Sequence, residues 1–173
     1  MAELQALIIE NQPDLVFINP KGEGLVHDGI AEIIESIKSS NIKVRLLTNG
    51  YLLNDERFKY ITNLCDEVIG EMKVTINEDF IKIQRPLKGY SIEQHIDNMA
   101  SFNKDYNGKF ILELTIIKGY SDDEHSIIAF KNMINHIKPS EVQIVTIDNA
   151  PFNNKLGVDE LRLKEISKGI MEC

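Results

Sequence analysis

Seven residues at the ends of apolar runs carry the groups from which this chain can build a site. Gly22 and Glu23 stand in the loop Asn19-Pro20-Lys21-Gly22-Glu23-Gly24, which follows Leu15-Val16-Phe17-Ile18. The two glycines let the backbone approach a ligand closely, and loops after parallel strands are where such folds bind. Thr48 and Asn49 close a second run, Lys43 to Leu47, in the loop Thr48-Asn49-Gly50. Glu71 and Lys73 bring opposite charges into a third apolar stretch, within Glu67 to Thr75. Arg85 precedes Pro86 and offers a planar guanidinium able to grip a carboxylate in two places. These groups suit the holding of a charged small molecule.

Other chemistries lack their residues. His27, His95, His125 and His136 show no i, i+4 pair and no short metal spacing, so each is expected to be solvated or to cap a helix. No Ser-His-Asp set, Gly-x-x-x-x-Gly-Lys loop or zinc pattern is found. Cys65 and Cys173 lie far apart, offer no disulfide framework and cannot build a metal or iron–sulfur site alone. Cys65 is expected to be a buried residue at a helix end. Asp122 is expected to cap a helix.

Alternating elements must position the seven residues. The strand Leu15 to Ile18 is apolar without alternation, which suggests burial on both faces. A helix over Ala2 to Asn11 precedes it, with Leu4, Leu7 and Ile8 on one face. Asp28 is placed to cap a helix with Ile30, Ile33, Ile34 and Ile37 inward, and Asn54 one with Phe58, Ile61 and Leu64. Asn77 to Gln84 is a short helix stopped at Arg85-Pro86. Ser91 to Gln94 is a capping box opening a helix with Ile92, Ile96, Met99 and Phe102. Phe110 to Ile117 and Val142 to Ile147 complete five strands. Between and after them lie a helix ending near Ile137 and one capped by Asp159 with Leu163, Ile166 and Ile170. Such alternation predicts an α/β fold with a mainly parallel sheet and right-handed crossovers.

With 173 residues the chain is expected to be one domain, 1–173. Its formal charge of −8 argues against a nucleic-acid backbone binder. No apolar run approaches the roughly 20 residues of a membrane span, and no signal-peptide pattern appears, so a cytoplasmic location is expected.

In order along the chain, these loops resemble those of the radical S-adenosylmethionine (radical SAM) superfamily, in its iron–sulfur oxidoreductase branch related to glycyl-radical activating enzymes. Pro20-Lys21-Gly22-Glu23-Gly24-Leu25 resembles the Gly-Glu-Pro motif, and Thr48-Asn49-Gly50 the Thr-Asn-Gly strand ending. Phe80 to Pro86 resembles Phe-x-x-Ile-x-Arg-Pro, and Ile116 to Asp122 resembles Val-Lys-Gly-x-Asn-Asp. Val142-Gln143 with the Pro151 loop resembles the sixth strand and its exit. The resemblance implies a partial (β/α) barrel, a radical SAM core without its first strand, with helices on the outer face. It implies S-adenosylmethionine as ligand, its ammonium received by the backbone at Gly22 and Glu23. Thr48 and Asn49 would floor the pocket, and Glu71, Lys73 and Arg85 would face it.

The departures are equally specific. The family's Cys-x-x-x-Cys-x-x-Cys loop, which holds the 4Fe-4S cluster, has no counterpart here, so a cluster is expected only in a longer parent. Gly24 replaces the motif's proline, Glu71-Met72-Lys73 stands where Ser-Leu-Asp is usual, and Asn149-Ala150-Pro151 replaces Arg-Pro-Pro. Lys73 would set a positive charge near the sulfonium unless Glu71 offsets it. The intact parent would cleave S-adenosylmethionine reductively to a 5′-deoxyadenosyl radical, and this chain alone would be inactive. The alternatives are a cluster-free relative acting as a binding or interaction module, and a small α/β protein whose strand-end pocket binds another nucleotide or metabolite. Without a preceding strand, the first strand would leave an edge for a second copy or a partner chain.

Overall fold

The computed structural model describes residues 2–172, so Cys173 lies outside the described residues. The order is α1 (Ala2–Asn11), β1 (Leu15–Ile18), α2 (Ile30–Lys38), β2 (Lys43–Thr48), α3 (Glu56–Leu64) and β3 (Glu67–Met72). The short α4 (Asn77–Asp79), α5 (Ile92–Asp105), β4 (Lys109–Ile116), α6 (Glu124–Ile137) and β5 (Glu141–Thr146) follow. The short α7 (Asn153–Leu156) and α8 (Glu160–Met171) complete the chain.

The five strands form one parallel sheet in the order β1-β2-β3-β4-β5. Because every crossover advances by one strand, right-handed connections place all helices on one face. The helices pack in sequence, α1 on α2, α2 on α3, α5 on α6 and α6 on α8. Alternation divides each strand between two faces. Val44, Leu46, Val68, Met72, Phe110, Leu112 and Leu114 meet Ile34, Ile37, Met99, Phe102 and Phe130 from the helices in one buried core. The opposite, inner face is ionic, with Arg45 paired to Glu67 and Lys109 to Glu141. The architecture is therefore the expected open segment of a (β/α) barrel.

Several local expectations change. β1 is an edge strand, not one buried on both faces: Phe17, on the inner side, is 45% exposed. Leu7 turns outward at 51% exposure, so Leu4 and Ile8 alone carry the inward face of α1. The N-cap of α2 is Gly29 without a side-chain bond, and that of α3 is Asp55, whose carboxylate accepts from the Arg57 N–H; Asp28 and Asn54 do not cap. Asp123 caps α6, while Asp122 accepts from the Gly119 N–H in the preceding turn. Asn77 to Gln84 is one α turn followed by a π turn, Phe80–Gln84. It ends with Arg85 left-handed at φ 48° instead of extended; a left-handed residue followed by proline is a common helix stop. The capping box at Ser91 forms as expected.

Candidate functional site at the strand ends

Where β1 and β2 finish, Glu23 joins their loops. Its carboxylate accepts from Thr48 Oγ1 at 2.9 Å, from the Asn49 N–H at 2.8 Å and from the Leu25 N–H at 3.0 Å. Thr48 is buried, and its hydroxyl also accepts from the Gly50 N–H. Gly50 has φ 86°, a conformation glycine adopts without strain. Glu23, Thr48 and Asn49 therefore form one hydrogen-bonded tie, and Gly22 sits exposed at its rim. The side chain of Glu23 is committed to the protein, which leaves backbone groups of the loop for a ligand.

Glu71 and Lys73 project from the end of β3 to the inner face. Lys73 Nζ lies 2.7 Å from Glu71 Oε2, and Thr115 Oγ1 donates to Glu71 Oε1 at 3.3 Å. The carboxylate thus offsets the lysine charge. Both residues line a cavity of about 540 Å³ with Asn19, Leu47, Glu113, Thr115, Asp148 and Asn149. Arg85 lies elsewhere, exposed after the π turn, and joins no ion pair of the described residues. Of the seven residues, then, the structure brings Glu71 and Lys73 into the cavity and Glu23, Thr48 and Asn49 into the adjoining tie. Gly22 stands at the rim, and Arg85 does not converge.

Behind β3 lies a residue the sequence reading misplaced. The sequence predicts a solvated or helix-capping His95, yet it is fully buried among Tyr51, Phe80 and Tyr90, with ring centroids 4.7, 5.3 and 6.0 Å away. Its Nε2 lies 3.3 Å from the Glu71 carbonyl oxygen, which can only accept, so Nε2 carries the proton. Nδ1 and the Tyr90 hydroxyl have no partner among the described residues. Burial drives the His95 pKa down to about 4, against the smaller opposing effect of the Glu71 bond, so the ring is neutral at pH 7. Burial likewise pushes the Tyr51 and Tyr90 hydroxyls up to about 12. Gln84, from the π turn, fastens this corner: its side chain accepts from the Lys73 N–H and its carbonyl from Tyr51 Oη. The signal for His95 was its place on the apolar stripe of α5, three residues after Ile92 and four before Met99.

No family model matches the chain. It is 27% identical over 175 residues to the dual-specificity RNA methyltransferase RlmN of Nautilia profundicola, covering 98% of this chain and 43% of that protein. To a UPF0026 protein of Synechocystis it is 26% identical over 132 residues, 76% of this chain and 49% of the relative. A protein named GTPase Obg, from Brachyspira hyodysenteriae, is 25% identical over 152 residues, 87% of this chain and 22% of that protein. The chain thus spans about half or less of these relatives.

Among solved structures, TYW1 with a lysine-pyruvate adduct superposes with a TM-score of 0.73 at 15% identity, over 92% of this chain and 50% of that one. A domain of pyruvate-formate lyase-activating enzyme from Bacteroides vulgatus gives 0.67 at 13% identity, over 90% and 91% of the two chains. Streptococcus suis SuiB bound to S-adenosylmethionine gives 0.63 at 14% identity, over 89% and 33%. The fold is that of radical SAM enzymes.

In a radical SAM fold the cluster requires three thiolates, and the described residues do not fit it. Cys65 ends α3 beside the start of β3, at the far end of the sheet from the cavity. Burial pushes its thiol up to about 12, with the Asp66 charge adding, and the thiol donates toward the Ile61 carbonyl. A cluster ligand is a deprotonated, accessible sulfur, which Cys65 is not. No group of three or more His, Cys, Asp or Glu among the described residues can hold a metal ion. No helix among them is long and apolar enough to cross a membrane. The cavity does fit a small zwitterion or cation, because Lys73, Glu71 and Glu113 present both signs of charge on one wall.

Proposed function

We propose that this chain is a five-stranded part of a radical SAM core, the core without its first strand, and that its inner cavity, with the adjoining Glu23 loop, binds S-adenosylmethionine. The observation that carries the reading is the Glu71–Lys73 pair on the wall of the 540 Å³ cavity at the C-terminal strand ends. Lys73 is suited to the ligand carboxylate, and the carboxylates to its cationic end. Backbone groups at Gly22 and Glu23, held by the bonds to Thr48 and Asn49, are suited to the amino group. Arg85 has no part in this binding, since it stands away from the cavity.

A 4Fe-4S cluster, which would be held by cysteines of a longer parent, would supply the electron for reductive cleavage of S-adenosylmethionine. In our reading the whole protein uses that chemistry with cysteines other than Cys65. They are carried on the loop after a strand that pairs with the free edge of β1, and this chain alone is catalytically silent. The reading places the protein in the cytosol, where a free thiol such as Cys65 stays reduced.

Isothermal titration of the iron-free chain with S-adenosylmethionine and S-adenosylhomocysteine tests the binding. Saturable binding at or below about millimolar Kd, the weak end of ordinary recognition, is expected, and it should weaken on Lys73→Ala. Absence of heat and of competition at several millimolar would overturn the reading for this chain.

A further inference from the structure

Across the inner face most charges are matched in pairs; among the charged strand residues there, only Lys43, exposed at the start of β2, and Glu113 lack a partner among the described residues. Arg45 takes Glu67, Lys109 takes Glu141, and Lys73 takes Glu71. Glu113 stands between Glu71 on β3 and Gln143 on β5, its register partners on either side. Glu71 is committed to Lys73 and Thr115, and the Gln143 amide donates to Glu141 at 2.8 Å. Glu113 enters none of the ion pairs or side-chain hydrogen bonds of the described residues, yet its side chain lines the cavity. Burial raises its pKa, the facing Glu71 adds to this, and Lys73 only partly opposes it. A half-buried anion beside a second carboxylate is unfavourable until a cation reaches it.

We propose that Glu113 is the specificity-determining residue of this cavity and recognises a primary ammonium group on its ligand. The inference rests on the cavity being a ligand site. An ammonium has three N–H donors, and acceptors of the right kind surround the spot: the Glu113 carboxylate, Glu71 and the Thr115 hydroxyl. A phosphate or carboxylate there would meet two like charges on adjacent strands. The ammonium has two sources: a separate amine-bearing substrate, or the amino group of S-adenosylmethionine seated on Glu113 instead of on the Gly22–Glu23 backbone.

The test follows the Glu113 carboxyl by ¹³C NMR through a pH titration, assigned with Glu113→Gln, in the full chain. Three probes are added separately: S-adenosylmethionine, 1,5-diaminopentane and the uncharged 1,5-pentanediol. An ammonium seated on Glu113 lowers its apparent pKa by about one unit or more, and the diol leaves it unchanged. A shift with S-adenosylmethionine that the diamine does not reproduce assigns the group to the cofactor. A shift with the diamine, alone or added to that of S-adenosylmethionine, assigns it to a substrate. Equal shifts with diol and diamine, or no shift with either cation, overturn the proposal. Calorimetric binding of S-adenosylmethionine with Glu113 unmoved by either cation overturns this inference and leaves the cofactor reading standing. A diamine shift without S-adenosylmethionine binding does the reverse.

Discussion

Glu23 accepts the hydroxyl proton of Thr48 at 2.9 Å, and this bond fastens the loop after β1 to the end of β2. With the Asn49 and Leu25 N–H groups, it makes one carboxylate the acceptor of three hydrogen bonds. Charge-assisted bonds of this kind contribute more than neutral ones. Glu23→Ala is therefore expected to destabilise the chain by about 2–4 kcal/mol, measured by urea unfolding, with Glu23→Gln losing less. A loss below about 1 kcal/mol would show that water replaces the tie.

His95 makes stability depend on acid. Its folded pKa is about 4 against an ordinary 6.5, so between those values the unfolded chain binds the extra proton. The contribution is complete above pH 6.5 and is lost as pH falls toward 4. Wild type should lose about 2 kcal/mol more than His95→Gln between pH 7 and pH 4.5. Equal losses in the two proteins would place His95 in contact with solvent.

Gly50→Ala should cost about 1–3 kcal/mol. Its φ is 86°, and a Cβ would come within 2.8 Å of His95 Cε1 and 3.2 Å of Met99 Sδ. The substitution should also displace His95 and lower its protection from solvent, which its NMR titration would report as a pKa nearer 6.5. A variant as stable as wild type would mean that the loop and helix can part.

Glu113→Gln carries the opposite sign. A carboxyl whose folded pKa lies above its ordinary value destabilises the fold once ionised, so the cost is absent at low pH and present above the folded pKa. The variant should match wild type near pH 4 and exceed it at pH 7.5. The gain should stay below about 1 kcal/mol, because the side chain is partly screened by solvent. A variant less stable at pH 7.5 would contradict an unpaired Glu113.

The strand and helix order was readable because each element has its own period and its own stop, as the Ser91 capping box and the stop at Arg85-Pro86 illustrate. Within the site, the loops of Glu23 and Thr48 and the charges of Glu71 and Lys73 were visible as polar ends of apolar runs. Arg85 carried the same signal and stands apart, since a residue before proline marks a chain reversal whether or not a ligand lies near. His95 and Glu113 were hidden for different reasons. His95 is polar by type but occupies an apolar helix stripe, so only packing reveals it. Glu113 alternates with buried Leu112 and Leu114 like any half-buried strand residue, and its lack of a partner depends on the side chains of two neighbouring strands. Gly70 lies within β3, where Phe110 and Met99 leave no room for a Cβ.

The consecutive strand order bears on how the chain assembles. Every strand among these five hydrogen-bonds to the one made just before or after it, so each docking step closes a local loop, the longest being that of α4, the π turn and α5 between β3 and β4. Pairing only between consecutive strands keeps the entropic cost of closure low for a parallel sheet and favours stepwise growth from the N-terminal side as the chain leaves the ribosome. Growth of that kind also sets a gradient of opening: β3, flanked on both sides, should exchange its amide hydrogens last, and β1 and β5 first.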